Sequence, residues 1–184
     1  MTTTILDFWD LGHELYKSAP KTFPVPFVQG DVFDPKHIAP SSPFYSLPTA
    51  PPPALATLES LTPLQGHVSV IHVSEFFHLF GKEEQIEAAR ALASLLSPLP
   101  GPMILGYHYS RAVSGEVIRP ERRDIYDFCP EDWCSLWEGT IFEKGTVEAE
   151  AELQDEAFRK PLSSDPGFHI GEGRSPMAWC VRRI

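Results

Sequence analysis

The period of the apolar positions changes along this chain of 184 residues, and each change marks an element. In DFWDLGHELYKSAP, Phe8, Leu11, Leu15 and Tyr16 fall at helical spacing, which predicts an amphipathic helix stopped by Pro20. VPFVQGDVFDP is β-rich over Val25–Val28 and ends in Gly30-Asp31, the pattern of a strand tipping into a loop. From Pro35 to Pro63 the chain is rich in Pro, Ser and Ala. It reads as a long irregular excursion rather than a second domain, and loops of that length are functional or mobile. TLESLTPLQG within it offers a short helix with Leu58 and Leu61 on its apolar side.

In HVSVIHVSEFF, Val68, Val70, Ile71 and Val73 are β-branched and nearly continuous, which predicts a strand covered on both faces. KEEQIEAARALASLL is the clearest helix: Ile86, Ala89, Leu92 (or Ala93) and Leu96 form its inner stripe, with Glu and Lys opposite and Pro98, Pro100 and Gly101 ending it. PMILGYHYS is another solid apolar strand. CPEDWCSLWEGT reads as a helix with acidic residues in its first turn, favourable against the helix dipole. GTVEAEAELQDE alternates as a strand does, and MAWCVRRI closes the chain as the last strand. Strands and helices alternating through the middle predict an α/β layered fold with a mostly parallel sheet. The two closing strands, joined near SSDPGFHIGEGRSP, predict a C-terminal antiparallel hairpin at one edge.

Length adds that residues 1–184 make one domain, one that buries roughly 70% of its unfolded surface. The formal net charge of −10 argues against nucleic acid or an anionic membrane as partner, since phosphate binding needs clustered Lys and Arg. Cys129, Cys134 and Cys180 are odd in number and match no zinc spacing; they read as reduced thiols. The N-terminal stretch carries Asp7, Asp10 and Glu14 without a long apolar core, unlike a signal peptide. No run reaches the roughly 18 apolar residues of a membrane helix. The expected compartment is cytoplasmic.

His72, Glu75 and His78 raise the question of a metal. On a helix the two histidines would stand about 120° apart, whereas chelation on one face uses i, i+4. On a strand they would share a face but lie some 20 Å apart, with Glu75 on the other side. Neither geometry gathers three ligands, so no metal is expected.

FWDLGHELYK, FVQGDVFDP, LTPLQGHVSVIHVSEFFHLFGKEEQIEAARALASLLSP and FCPEDWCSLWEGTIFEKGTVEAEA together resemble fungal methyltransferases of secondary metabolism. These are class I, Rossmann-like enzymes that use S-adenosylmethionine. The resemblance runs from Leu6 to Ile184, and the block with FFHLF is its most specific part. It implies a cofactor lying across the carboxyl ends of the parallel strands. Asp31 would accept a hydrogen bond from the adenine amino group, Val32 would pack on the ring, and His72, Val73 and Ser74 would pass the methionine part. His72, His78 and His108 would be the acid/base groups, and Tyr107 and Tyr109 would line a pocket for a small-molecule acceptor methylated at oxygen. From the residues alone, each of these histidines reads first as a hydrogen-bonded side chain without chemistry, and each tyrosine as packing. Against the family pattern, the sequence begins at the helix after the ribose-binding acid. The resemblance therefore implies an N-terminally truncated sheet without its Gly-rich strand, with an exposed edge open to self-association. The alternative function is a methyltransferase-like protein that binds a metabolite or partner without transferring a methyl group.

Overall fold

The computed structural model describes residues 5–19, 21–118, 125–154 and 173–184. The side chain of Asp7, the helix-stopping Pro20 and the expected turn over residues 163–172 lie outside the described residues. The first element is helix α1, Ile5–Leu15. Its apolar stripe is exposed: Phe8 is 65% accessible, Leu11 56% and Leu15 73%. What holds α1 locally is Trp9, stacked on Phe27 at 4.9 Å with the His13 edge beside it.

Val25–Val28 forms no strand. Pro24 and Pro26 flank Val25, remove two ladder donors and fix φ near the polyproline region, and Val25 is half exposed. The Pro-rich excursion instead runs as an ordered surface strap. Its two ends are pinned together where Leu61 N–H donates to the His37 carbonyl at 2.9 Å, and its middle where the Arg183 guanidinium donates to the Phe44 carbonyl at 2.6 Å. Tyr45 Oη accepts a bond from the Glu143 N–H at 2.7 Å.

The sheet is built from β1 (Val70–His72), β2 (Met103–Ser110), β5 (Val147–Leu153) and β6 (Ser175–Arg183), in the order β1-β2-β6-β5. Only β1 and β2 are parallel; β2–β6 and β5–β6 are antiparallel. This corrects the expectation of a mostly parallel sheet. The error came from reading chain order as neighbour order. The last strand inserts beside β2, so both of its ladders run antiparallel, and the absence of a strand at 25–28 removes one expected parallel partner. A separate ribbon pairs β3 (Gly115–Val117) with β4 (Ile125–Asp127).

Helix α2, Lys82–Leu95, buries Gln85, Ala88, Ala89, Leu92 and Ala93. Glu84 Oε2 accepts the Gly81 N–H at its start, 3.2 Å away, and satisfies one of the donors a helix leaves open. Gln85 belongs to the inner stripe although it is polar. Its amide donates to the carbonyls of Phe80 and Tyr126 at 2.9 and 2.5 Å, which removes the penalty of burying it. Helix α3, Pro130–Ser135, continues into a wider turn over Leu136–Ile141. Pro130 takes the first helical position, where its missing N–H costs nothing. Trp133 and Trp137, one turn apart, are fully buried. The Trp133 ring lies 4.9 Å from Phe77, 5.3 Å from Trp179 and 5.0 Å from His108. This aromatic cluster is the centre of the core.

Along the strands burial alternates. Met177, Trp179 and Val181 are buried on β6 while Ala178 and Arg182 are exposed; on β5 Glu148, Glu150 and Glu152 all face outward or nearly so. One sheet face therefore carries the core. On the other, Val70 is 58% accessible and Tyr107 37%. The expectation that β1 and β2 are covered on both faces does not hold among the described residues.

Candidate functional site

Several of the expected site residues meet at the carboxyl ends of β1 and β2. Val73 N–H donates to the Leu105 carbonyl and Glu75 N–H to the Tyr107 carbonyl, both at 2.8 Å. Between these two bonds the chain crosses over Gly106. A Cβ there would fall 1.8 Å from the Val73 carbonyl oxygen, so only glycine lets the segment close onto β2. Glu75 then turns with φ 54°, a left-handed conformation that costs a residue with a Cβ about 1 kcal/mol or more.

That turn aims Glu75 at Tyr107. The Tyr107 side chain acts on its carboxylate, and His78 Nε2 stands 3.4 Å from Glu75 Oε2. Burial pushes the Glu75 carboxyl above its ordinary range, opposed by the Tyr107 side chain and the charge of Arg174. Tyr107 is raised as well, by partial desolvation and then by the Glu75 charge. His72 Nε2 and Ser74 Oγ are 2.9 Å apart, and Ser74 Oγ accepts the Tyr107 N–H at 3.2 Å. His78 meets the Tyr109 ring edge-on at 5.8 Å. The structure thus links His72, Ser74 and Tyr107 on one side, and ties His78 to both Glu75 and Tyr109 on the other.

His108 stands apart. It is 2% accessible, among Phe77, Trp133 and Trp179. Trp179 Nε1–H donates to its Nδ1 at 2.9 Å, which leaves the ring proton on Nε2. Desolvation, then the charges of His78 and Arg174, lower its pKa to about 3, so it is neutral and a weak base at ordinary pH.

On the other side of the β1 exit lies a cleft of about 600 Å³ lined by Asp31, Val32, Phe33, Ile38, Val73, Phe76, Phe80 and Glu84, among others. Three expected cofactor residues, Asp31, Val32 and Val73, share this wall. Asp31 is exposed, and its Oδ1 accepts the Phe33 N–H at 3.0 Å, which fixes the carboxylate at the lip. Gly30 is required here: a Cβ would meet the buried His37 ring at 2.0 Å. Val32, Phe33 and Ile38 also wall a second cleft of about 630 Å³, closed on its far side by Pro40 and Pro43 of the strap. The cleft's aromatic and aliphatic walls and its two carboxylates suit an adenosyl group, which has an apolar ring and hydroxyls to bond.

The sequence reading missed three things. Glu75 was weighed only as a metal ligand; its role depends on a backbone turn that no pattern announces. Gly106 looked like one more residue of an apolar run. Asp127, fully buried, bonds Arg174 at 2.6 Å and lies 3.2 Å from Arg111, tying β4 to the start of β6. Among the described residues no three His, Cys, Asp or Glu side chains converge as a metal set, and no helix is long and apolar enough to cross a membrane.

No protein-family profile matches the chain, and no solved structure matches it. Among curated proteins the similarity is to fungal methyltransferases, at low identity. The chain is 27% identical over 183 residues to O-methyltransferase phiE of Fungal sp. (strain ATCC 74256), covering 96% of this chain and 53% of that protein. It is 32% identical over 112 residues to methyltransferase ausD and to methyltransferase prhM, both of Penicillium brasilianum, covering 58% of this chain and 39% of each. The chain thus spans about half the length of the first relative and less of the other two.

Proposed function

We propose that this chain takes part in S-adenosylmethionine-dependent methyl transfer to an oxygen of a small secondary metabolite. The observation that carries the reading is the juxtaposition at the β1 exit. A cleft that suits an adenosyl group lies on one side, and a hydroxyl-rich, titratable cluster on the other, in a chain similar along nearly its whole length to an O-methyltransferase. In this reading Asp31 takes the adenine amino group, Val32 packs on the ring, and His72, Val73 and Ser74 flank the methionine part. S-adenosylmethionine supplies an electrophilic methyl group on a sulfonium. The protein's share is to hold the acceptor in line with it, which is mostly positioning work, and to take up a proton. His72 and His78 are placed to serve that cluster. His108 backs it from the core and keeps Trp179 in place.

A second reading, a methyltransferase-like protein that binds a metabolite or partner without transfer, draws on the open sheet face and on the relatives' greater length. Calorimetric titration with S-adenosylmethionine, with a labelled-methyl transfer assay alongside, separates the two. The first reading expects binding that Asp31→Ala weakens by about 1–3 kcal/mol, the size of one hydrogen bond lost from a partly buried group. Binding that is indifferent to Asp31 removes the adenine role; absence of any transfer leaves the second reading.

A further inference from the structure

Glu75 holds a strained backbone conformation that a glycine or asparagine would adopt at less cost. The turn does one thing that no other residue there repeats: it presents a carboxylate, 40% accessible, on the open side of β2. Tyr107 from β2 and His78 from the following turn face that carboxylate, and the charge of Arg174, just before β6, reaches it. At 40% accessibility the carboxylate stays open to solvent beside these groups. Such a carboxylate recognises a group that can donate a proton. Backbone strain kept at a half-open polar site marks function more often than packing.

We propose that Glu75 is the hydroxyl-recognising, proton-accepting residue of the acceptor site, with Tyr107 and His78 as its positioning residues. The acceptor is of the phenol or enol class, whose acidic hydroxyl matches a carboxylate base. This rests on the methyl-transfer reading above. In the step, the acceptor O–H bond breaks and the proton passes to Glu75. The oxygen electron pair forms the new O–CH₃ bond, and the CH₃–S⁺ bond breaks with its pair returning to sulfur as a neutral thioether. Glu75, now a neutral carboxylic acid, returns its proton to water.

Binding of 4-fluorophenol and of 4-fluoroanisole, followed by ¹⁹F NMR on the intact chain, tests the assignment without any turnover. The phenol is expected to bind about tenfold or more tightly than the anisole, which has no proton to donate. Glu75→Gln should abolish that preference, Glu75→Asp should retain part of it, and circular dichroism should show all three chains equally folded. Tyr107→Phe removes a hydroxyl whose influence lowers the Glu75 pKa, so the pH midpoint of phenol binding should move upward. Equal binding of the two probes to the unaltered chain, or a preference that survives Glu75→Gln, overturns the proposal. Titration with S-adenosylmethionine is independent of it: Glu75→Gln should leave that affinity unchanged. Failure of both chains to bind S-adenosylmethionine sinks the methyl-transfer reading, while the phenol preference still decides on Glu75.

Discussion

On β6, Met177, Trp179 and Val181 point into an aromatic core, and their sequence neighbours Ala178 and Arg182 point to solvent. On β2, Ile104 and His108 are buried and Tyr107 is exposed. One set of strands thus makes two surfaces. The covered face has close ring contacts and a neutral histidine tied to a tryptophan. The open face has acidic residues on β5, Tyr107 and His72 nearer β1, and Glu75 at its carboxyl end. Stability is concentrated on the first and titratable chemistry on the second. A packed interior makes a charge expensive, whereas a half-solvated rim lets a carboxylate change its protonation state.

The strongest test of that division removes a ring from the covered face. Trp133→Ala leaves a cavity among Phe77, Trp179 and His108 and should cost about 3–5 kcal/mol in urea denaturation; a loss near zero would mean the aromatic cluster is not the core. Next comes acidification. His108 has a folded pKa of about 3 against an ordinary 6.5, so it contributes stability that is present above pH 6.5 and lost as the pH falls toward 3. Between pH 7 and pH 4 this amounts to roughly 3 kcal/mol. His108→Gln keeps an acceptor for the Trp179 indole and should flatten the pH dependence by that amount. Glu75 has the opposite sign: its raised pKa contributes stability at low pH that is lost as the pH rises through it, and solvent screening makes it smaller.

Gly106→Ala sits at the boundary between the two faces. The added methyl meets the Val73 carbonyl and should cost about 1–3 kcal/mol while displacing Glu75, so thermal melting and phenol binding should fall together. The smallest effect belongs to the open face. Tyr107→Phe should change stability by no more than about 0.5 kcal/mol in the same urea assay; a loss several times larger would mean that this face is covered.

Much of the local structure was legible. The 3.6-residue period of 82–95 and the alternation of VEAEAEL announced α2 and β5, and the acidic residues of its first turn announced α3. The run at 25–28 misled because β-branched residues were weighed above two prolines. The stripe on α1 was legible as amphipathic, yet what covers it is not a property of the helix itself.

By itself, then, the sequence determined the period of each element, hence which residues share a face, because side-chain direction follows from backbone geometry alone. It also carried the likeness to fungal methyltransferases and pointed to the β1 exit. Strand order was decided only in three dimensions: β6 inserts beside β2 and turns two of the three sheet ladders antiparallel. So was the difference between Tyr107 and His108, adjacent in the chain and opposite in environment. The Glu75 turn was decided there too, since its φ depends on a hydrogen bond to Tyr107 and on a missing Cβ at Gly106. These are contacts between residues some 30 positions apart, and a one-dimensional pattern carries no term for such a contact.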